Sequence, residues 1–117
     1  MTYVNGFVAA VPTGNRDAYL AMAREAAVVF KECGALNLVE CWGVDVPDGK
    51  VTSFPMAVNL AGGETVVFSW IVWPSKEVAD AAMPKVMEDE RLKAWEDRMP
   101  FDGQRMIYGG FEVILDE

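Results

Sequence analysis

At 117 residues, 52% apolar and 24% charged, the chain has the size and composition of one globular domain over residues 1–117 and is too apolar to be disordered. Eighteen acidic residues against ten basic ones give a net charge of −8. The basic residues are scattered singly, and this excludes an electrostatic grip on nucleic-acid phosphates or on anionic membrane surfaces.

The first predicted element is a strand, Tyr3 to Val11, closed by Pro12. It opens with MTYVNGFVAAVP, which lacks the positive start and cleavage pattern of a signal peptide. Thr13, Gly14 and Asn15 then offer helix caps. Beyond them Tyr19, Met22, Ala23, Ala26, Val29, Phe30 and Cys33 fall on one helical stripe, which Gly34 ends. A second strand is expected over Ala35 to Val46, and a turn at Pro47-Asp48-Gly49. Val51 to Leu60 predicts a short extra strand, edge-like because of Pro55. After Gly62 and Gly63, TVVFSWIVW (Thr65 to Trp73) is apolar on both faces apart from Ser69, the mark of a central strand. Pro74 and Ser75 lead into a second helix with Val78, Ala79, Ala82, Met83, Val86 and Met87 inward and a kink at Pro84. Asp89 caps a further short helix holding Leu92 and Trp95. Met106 to Leu115 is the last strand. No apolar run approaches the roughly 18 residues of a membrane span, so a cytoplasmic location is expected.

The order β-α-β(β)-β-α-β predicts an α+β fold, a ferredoxin-like βαββαβ sandwich with an extra short strand. Its first and third core strands would be central, matching the two segments apolar on both faces. Two helices cover one sheet face only. The other face would leave residues such as Phe7 or Val8, and Val67 or Phe68, in water, which predicts a homodimer packed sheet against sheet.

MPFDGQRMIYGGF, together with VNGFVAAVP, ECWGVDVPDGKVTSF, VVFSWIVWPSKEV and the closing DE, resembles the YbaA-like family of uncharacterised bacterial proteins (domain of unknown function 1428). The resemblance runs over essentially the whole chain. It implies a dimeric α+β barrel, a superfamily that also holds cofactor-free monooxygenases, lactone isomerases and haem enzymes, and it brings no catalytic residues to transfer.

Histidine is absent, and the two cysteines, Cys33 and Cys41, have no ligand spacing. That argues against zinc, histidine-ligated haem and any histidine base, so no metal and no cofactor are expected. Both cysteines read as small core residues. Glu40 alternates with Leu36, Leu38, Trp42 and Val44, which sets a carboxylate on the more apolar face of its strand. It is either a general base of raised pKa or a partnered glutamate that fixes register or the dimer. Arg105 beside Asp102 is either an anion clamp or a local pair bracing a turn. Trp42, Trp70, Trp73 and Tyr108 either line an aromatic pocket or belong to the core. Gly109 and Gly110 predict a bulge or bend that lets the last strand curve toward a partner subunit, with Arg105 pairing across the interface to Glu40 or a neighbouring acid. Three functional classes remain open: a dimer binding a small molecule in a pocket, a cofactor-independent monooxygenase- or isomerase-like enzyme, and a purely structural or interaction dimer.

Overall fold

Two long segments that are apolar on both faces decide the architecture. In a computed structural model, which describes residues 2–117, β1 (Tyr3–Pro12) and β3 (Glu64–Trp73) each extend over ten residues. They pair antiparallel along their whole length, from Tyr3 opposite Trp73 to Pro12 opposite Glu64. β2 (Asn37–Trp42) adds to the far edge of β3, and β4 (Ile107–Glu112) to the far edge of β1, both antiparallel. The order β2-β3-β1-β4 is that of a ferredoxin-like sheet. β1 and β3 are central because both of their faces can be buried.

Between the strands lie α1 (Arg16–Glu32), α2 (Phe54–Ala57), α3 (Lys76–Glu88) and α4 (Glu90–Lys93). A 3₁₀ turn at Thr13–Asn15 leads into α1, and Gly34 leaves it at φ +114° with its N–H bonded to the Lys31 carbonyl. Asn15 is not a side-chain cap; its amide instead donates to the Pro100 carbonyl at 2.8 Å. Ser75 and Asp89 cap α3 and α4 through hydrogen bonds from the Val78 and Arg91 N–H groups.

Alternation then sorts the core. Ala9, Val11 and Val67 meet Tyr19 and Ala23 of α1, while Ile71 and Trp73 meet Ala79 and Ala82 of α3. Trp73 is fully buried, and its indole N–H donates to Asn5 Oδ1 at 2.7 Å. The opposite face carries Val8, Ala10 and Val66, roofed at one end by Val46, Val58 and Leu60 from segment 43–62. Beyond that roof Val4, Phe68, Trp70, Val72 and Phe111 border an open groove of about 590 Å³.

Three sequence expectations need correction. The extra short strand at Val51 to Leu60 does not form. Ser53 Oγ accepts the Met56 N–H at 3.1 Å and starts α2, with Pro55 in its first turn, where a proline costs no hydrogen bond. β2 and β4 are also shorter than expected, six residues each. Finally, Gly109 and Gly110 make no bulge; they stay in register opposite Gly6 and Asn5. Their missing side chains make room for rings instead. A Cβ at Gly110 would run into the Tyr3 phenol, and one at Gly109 would lie 3.3 Å from Phe111 Cζ.

Candidate functional site

α1 crosses the sheet above Glu40 and leaves a cavity of about 140 Å³. Phe7, Ala9 and Ile71 form its floor, and Met22, Ala23, Ala26 and Phe30 come down from α1. Phe101 and Met106, on the segment entering β4, close one side. Among the described residues, Glu40, Tyr19 and Ser69 are its only ionisable or hydroxyl-bearing lining residues.

Register brings these three together. Glu40 on β2 stands directly opposite Ser69 on β3, and the apolar stripe of α1 delivers Tyr19 over both. The Tyr19 hydroxyl donates to Glu40 Oε1 at 2.7 Å. Its ring is fixed edge-on against Phe101, with centroids 5.5 Å apart at 70°. Burial pushes the Tyr19 phenol well above its ordinary value, and the Glu40 charge and their hydrogen bond push the same way. Tyr19 therefore stays protonated, and a donor, near neutral pH. Burial also pushes the Glu40 carboxyl up, while hydrogen bonding from Tyr19 and Ser69 partly opposes that rise. The arrangement can accept a proton or a hydrogen-bond donor from a small molecule in an otherwise apolar space.

Most of the remaining expected site residues lie elsewhere. Trp42 packs onto the Tyr19–Val67 core cluster, with the Arg16 guanidinium 5.6 Å above its ring. Tyr108 is 76% exposed beside Phe7, their ring centroids 6.4 Å apart. Trp73 is core, and Trp70 borders both the cavity and the groove face, its ring tilted against that of Phe68 with centroids 5.5 Å apart. No single pocket gathers the four aromatic residues.

Arg105 and Asp102 do meet, with Nε donating to Asp102 Oδ2 at 3.0 Å. Arg105 also grips Glu64 through two hydrogen bonds of 2.8 and 2.6 Å and donates to the Asn59 carbonyl at 2.9 Å. The guanidinium ties the turn before β4 to the start of β3 and to the end of segment 43–62. It holds the Glu64 carboxyl down at about 2 and lowers that of Asp102 as well. These bonds use four of its five N–H donors. Within its own chain Arg105 serves Glu64 and Asp102, and Glu40 accepts from Tyr19. Sequence reading placed Tyr19 in the core stripe and missed its hydroxyl. The available signal was that Glu40 and Ser69 each interrupt an apolar strand face.

Comparison with known proteins agrees with the fold. The family described as "Protein of unknown function (DUF1428)" matches residues 2–103. "Uncharacterized protein YbaA" of Escherichia coli (strain K12) is 63% identical over 117 residues, covering all of both chains, and the Shigella flexneri protein of the same name matches equally. Among solved structures, a "Putative antibiotic biosynthesis monooxygenase from Nitrosomonas europaea" aligns with a TM-score of 0.58 at 14% identity, covering 97% of this chain and 90% of that one. Rv0793 from Mycobacterium tuberculosis aligns with a TM-score of 0.52 at 13% identity, covering 100% and 98%. At such identities the likeness is one of fold. Among the described residues, no helix is long and apolar enough to cross a membrane.

Proposed function

The chain belongs to the DUF1428 family, whose description carries no reaction, and from the site itself we propose that it binds a small, mostly apolar molecule in the cavity between α1 and the sheet. One observation carries the reading: a cavity of about 140 Å³ lined by hydrocarbon and aromatic side chains, into which one carboxylate and one phenol converge. The binding unit is a homodimer joined through the open groove of the sheet. An apolar groove of about 590 Å³, with Phe111 60% exposed at its edge, supports that part of the reading. The setting is the cytoplasm, in keeping with two unbridged cysteines.

The test is a titration with benzyl alcohol, followed through the methyl signals of Met22 and Met106, which line the cavity. Both signals should shift saturably, and Ala26→Phe, which fills the cavity from α1, should abolish the shifts while the fold is retained. Unshifted methyls, or equal shifts in Ala26→Phe, would remove the cavity from consideration. For the dimer, sedimentation showing only a 12.9 kDa species at micromolar concentration would reject the assembly.

A second reading makes the same cavity catalytic, a cofactor-independent monooxygenase- or isomerase-like site in which Glu40 takes a proton from the bound molecule. The raised proton affinity of Glu40 favours it. Turnover should then track the titration of Glu40 and vanish in Glu40→Gln; turnover by Glu40→Gln would end this reading.

A further inference from the structure

The cavity reading leaves the ligand's chemistry open, and the charge inside the cavity narrows it. Phe7, Tyr19, Phe30 and Phe101 surround the space with aromatic rings, and the only charge among them is the Glu40 carboxylate. No Lys or Arg lines the cavity. Among the described residues every ion pair lies elsewhere, on Lys76, Arg91 and Arg105, so Glu40 has no cation of its own. Its partner Tyr19 is a neutral donor, and its neighbour Ser69 is neutral too. A carboxylate partly drawn out of water and left without a positive partner is half of an ion pair.

Resting on the cavity reading, we propose that the ligand is a small hydrophobic amine, bound as its ammonium ion against Glu40 with its hydrocarbon part among the aromatic rings. Each alternative fits less well. A carboxylate ligand would meet Glu40 as a like charge. A neutral alcohol could donate one hydrogen bond but would leave the half-buried charge uncompensated. An ammonium ion does both, and ring faces attract it further. The chain's net charge of −8 adds a long-range pull on cations. Size sets a limit as well: a cavity of about 150 Å³ holds one benzene ring, so a single ring with a short arm is near the upper bound.

Three probes of one shape decide it: benzylammonium, benzyl alcohol and benzoate, each titrated near neutral pH against the Met22 and Met106 methyl signals. Benzylammonium should bind at least about tenfold more tightly than benzyl alcohol, and benzoate should not bind. Glu40→Gln should erase the preference for the amine while benzyl alcohol still binds. Equal affinity for amine and alcohol in the natural chain, or a preference that survives Glu40→Gln, overturns the amine assignment and leaves the cavity reading standing. If none of the three probes moves the methyl signals, both fall. Should Glu40→Gln fail to fold, the natural chain supplies the same decision. Its affinity for benzylammonium should drop as acid protonates Glu40, while that for benzyl alcohol holds; a pH-independent amine affinity overturns the assignment.

Discussion

Tyr19→Phe removes one oxygen atom and keeps the ring that meets Phe101. What disappears is the 2.7 Å hydrogen bond into Glu40 Oε1. A hydrogen bond to a charged acceptor contributes about 1.5–3 kcal/mol, against about 0.5–1.5 kcal/mol for a neutral pair. Unfolding entropy of about 2.1 cal/mol/K per residue, taken over 117 residues, turns the larger range into a fall in Tm of roughly 6–12 °C. The sign with pH follows from Glu40. Burial raises its carboxyl in the folded state, so its ionisation opposes folding. That penalty is absent below the unfolded carboxylate value and grows as pH rises through the folded one. The Tyr19 bond offsets the penalty. Tyr19→Phe should therefore cost most near pH 7 and distinctly less near pH 4. In a Glu40→Gln background, where an amide oxygen accepts in place of a carboxylate, the cost should shrink to that of a neutral bond. Urea unfolding of the four chains at both pH values measures the cycle. Equal cost of Tyr19→Phe at both pH values and in both backgrounds would refute the assignment of Glu40 as a half-buried, ionised acceptor.

Arg105→Gln should flatten the acid limb of the stability curve. Glu64 is held at about 2 in the fold against an ordinary 4.5, so its contribution is present above the ordinary value and fades as pH falls toward about 2. An unchanged acid limb, measured by urea unfolding, would show that the brace does not matter. Asn5→Ala strands the indole N–H of the fully buried Trp73 and should cost about 1–3 kcal/mol. A thermal melt matching the natural chain would mean that another acceptor has replaced Asn5.

Much of this fold can be read directly from residue patterns. α1 carries a clear helical stripe and β1 and β3 are apolar on both faces, and the chain order of strands and helices then points to one sheet order. Segment 51–60 was harder because its valines suit a strand, yet Ser53 with Pro55 two residues on is a helix start; local capping prevailed over propensity. Gly109 and Gly110 show why a bulge can be misread. A sequence reveals that a side chain is missing, whereas only the fold reveals that Tyr3 and Phe111 fill the space. Glu40 was legible because alternation exposes a lone carboxylate on an apolar face. Its partner was not, because Tyr19 obeys the helical stripe perfectly well as a hydrophobic residue. Arg105 beside Asp102 was visible as a local pair, but Glu64 lies 41 positions away in sequence, beyond any local rule.

Segment 43–62 makes the outer face of the sheet lopsided, roofed at the Val8 and Ala10 end and bare at the Val4 and Val72 end. A second copy related by a two-fold axis would bring the same bare residues in reverse order, so each would act twice. A substitution there that costs about 1 kcal/mol per chain would cost about 2 kcal/mol per pair, roughly a thirtyfold change in association. The roof would contribute differently, as a stop against which the facing sheet slides to rest. Lengthening or trimming segment 43–62 would then reset the lateral offset of the two sheets, while the hydrophobic surface that joins them stays the same.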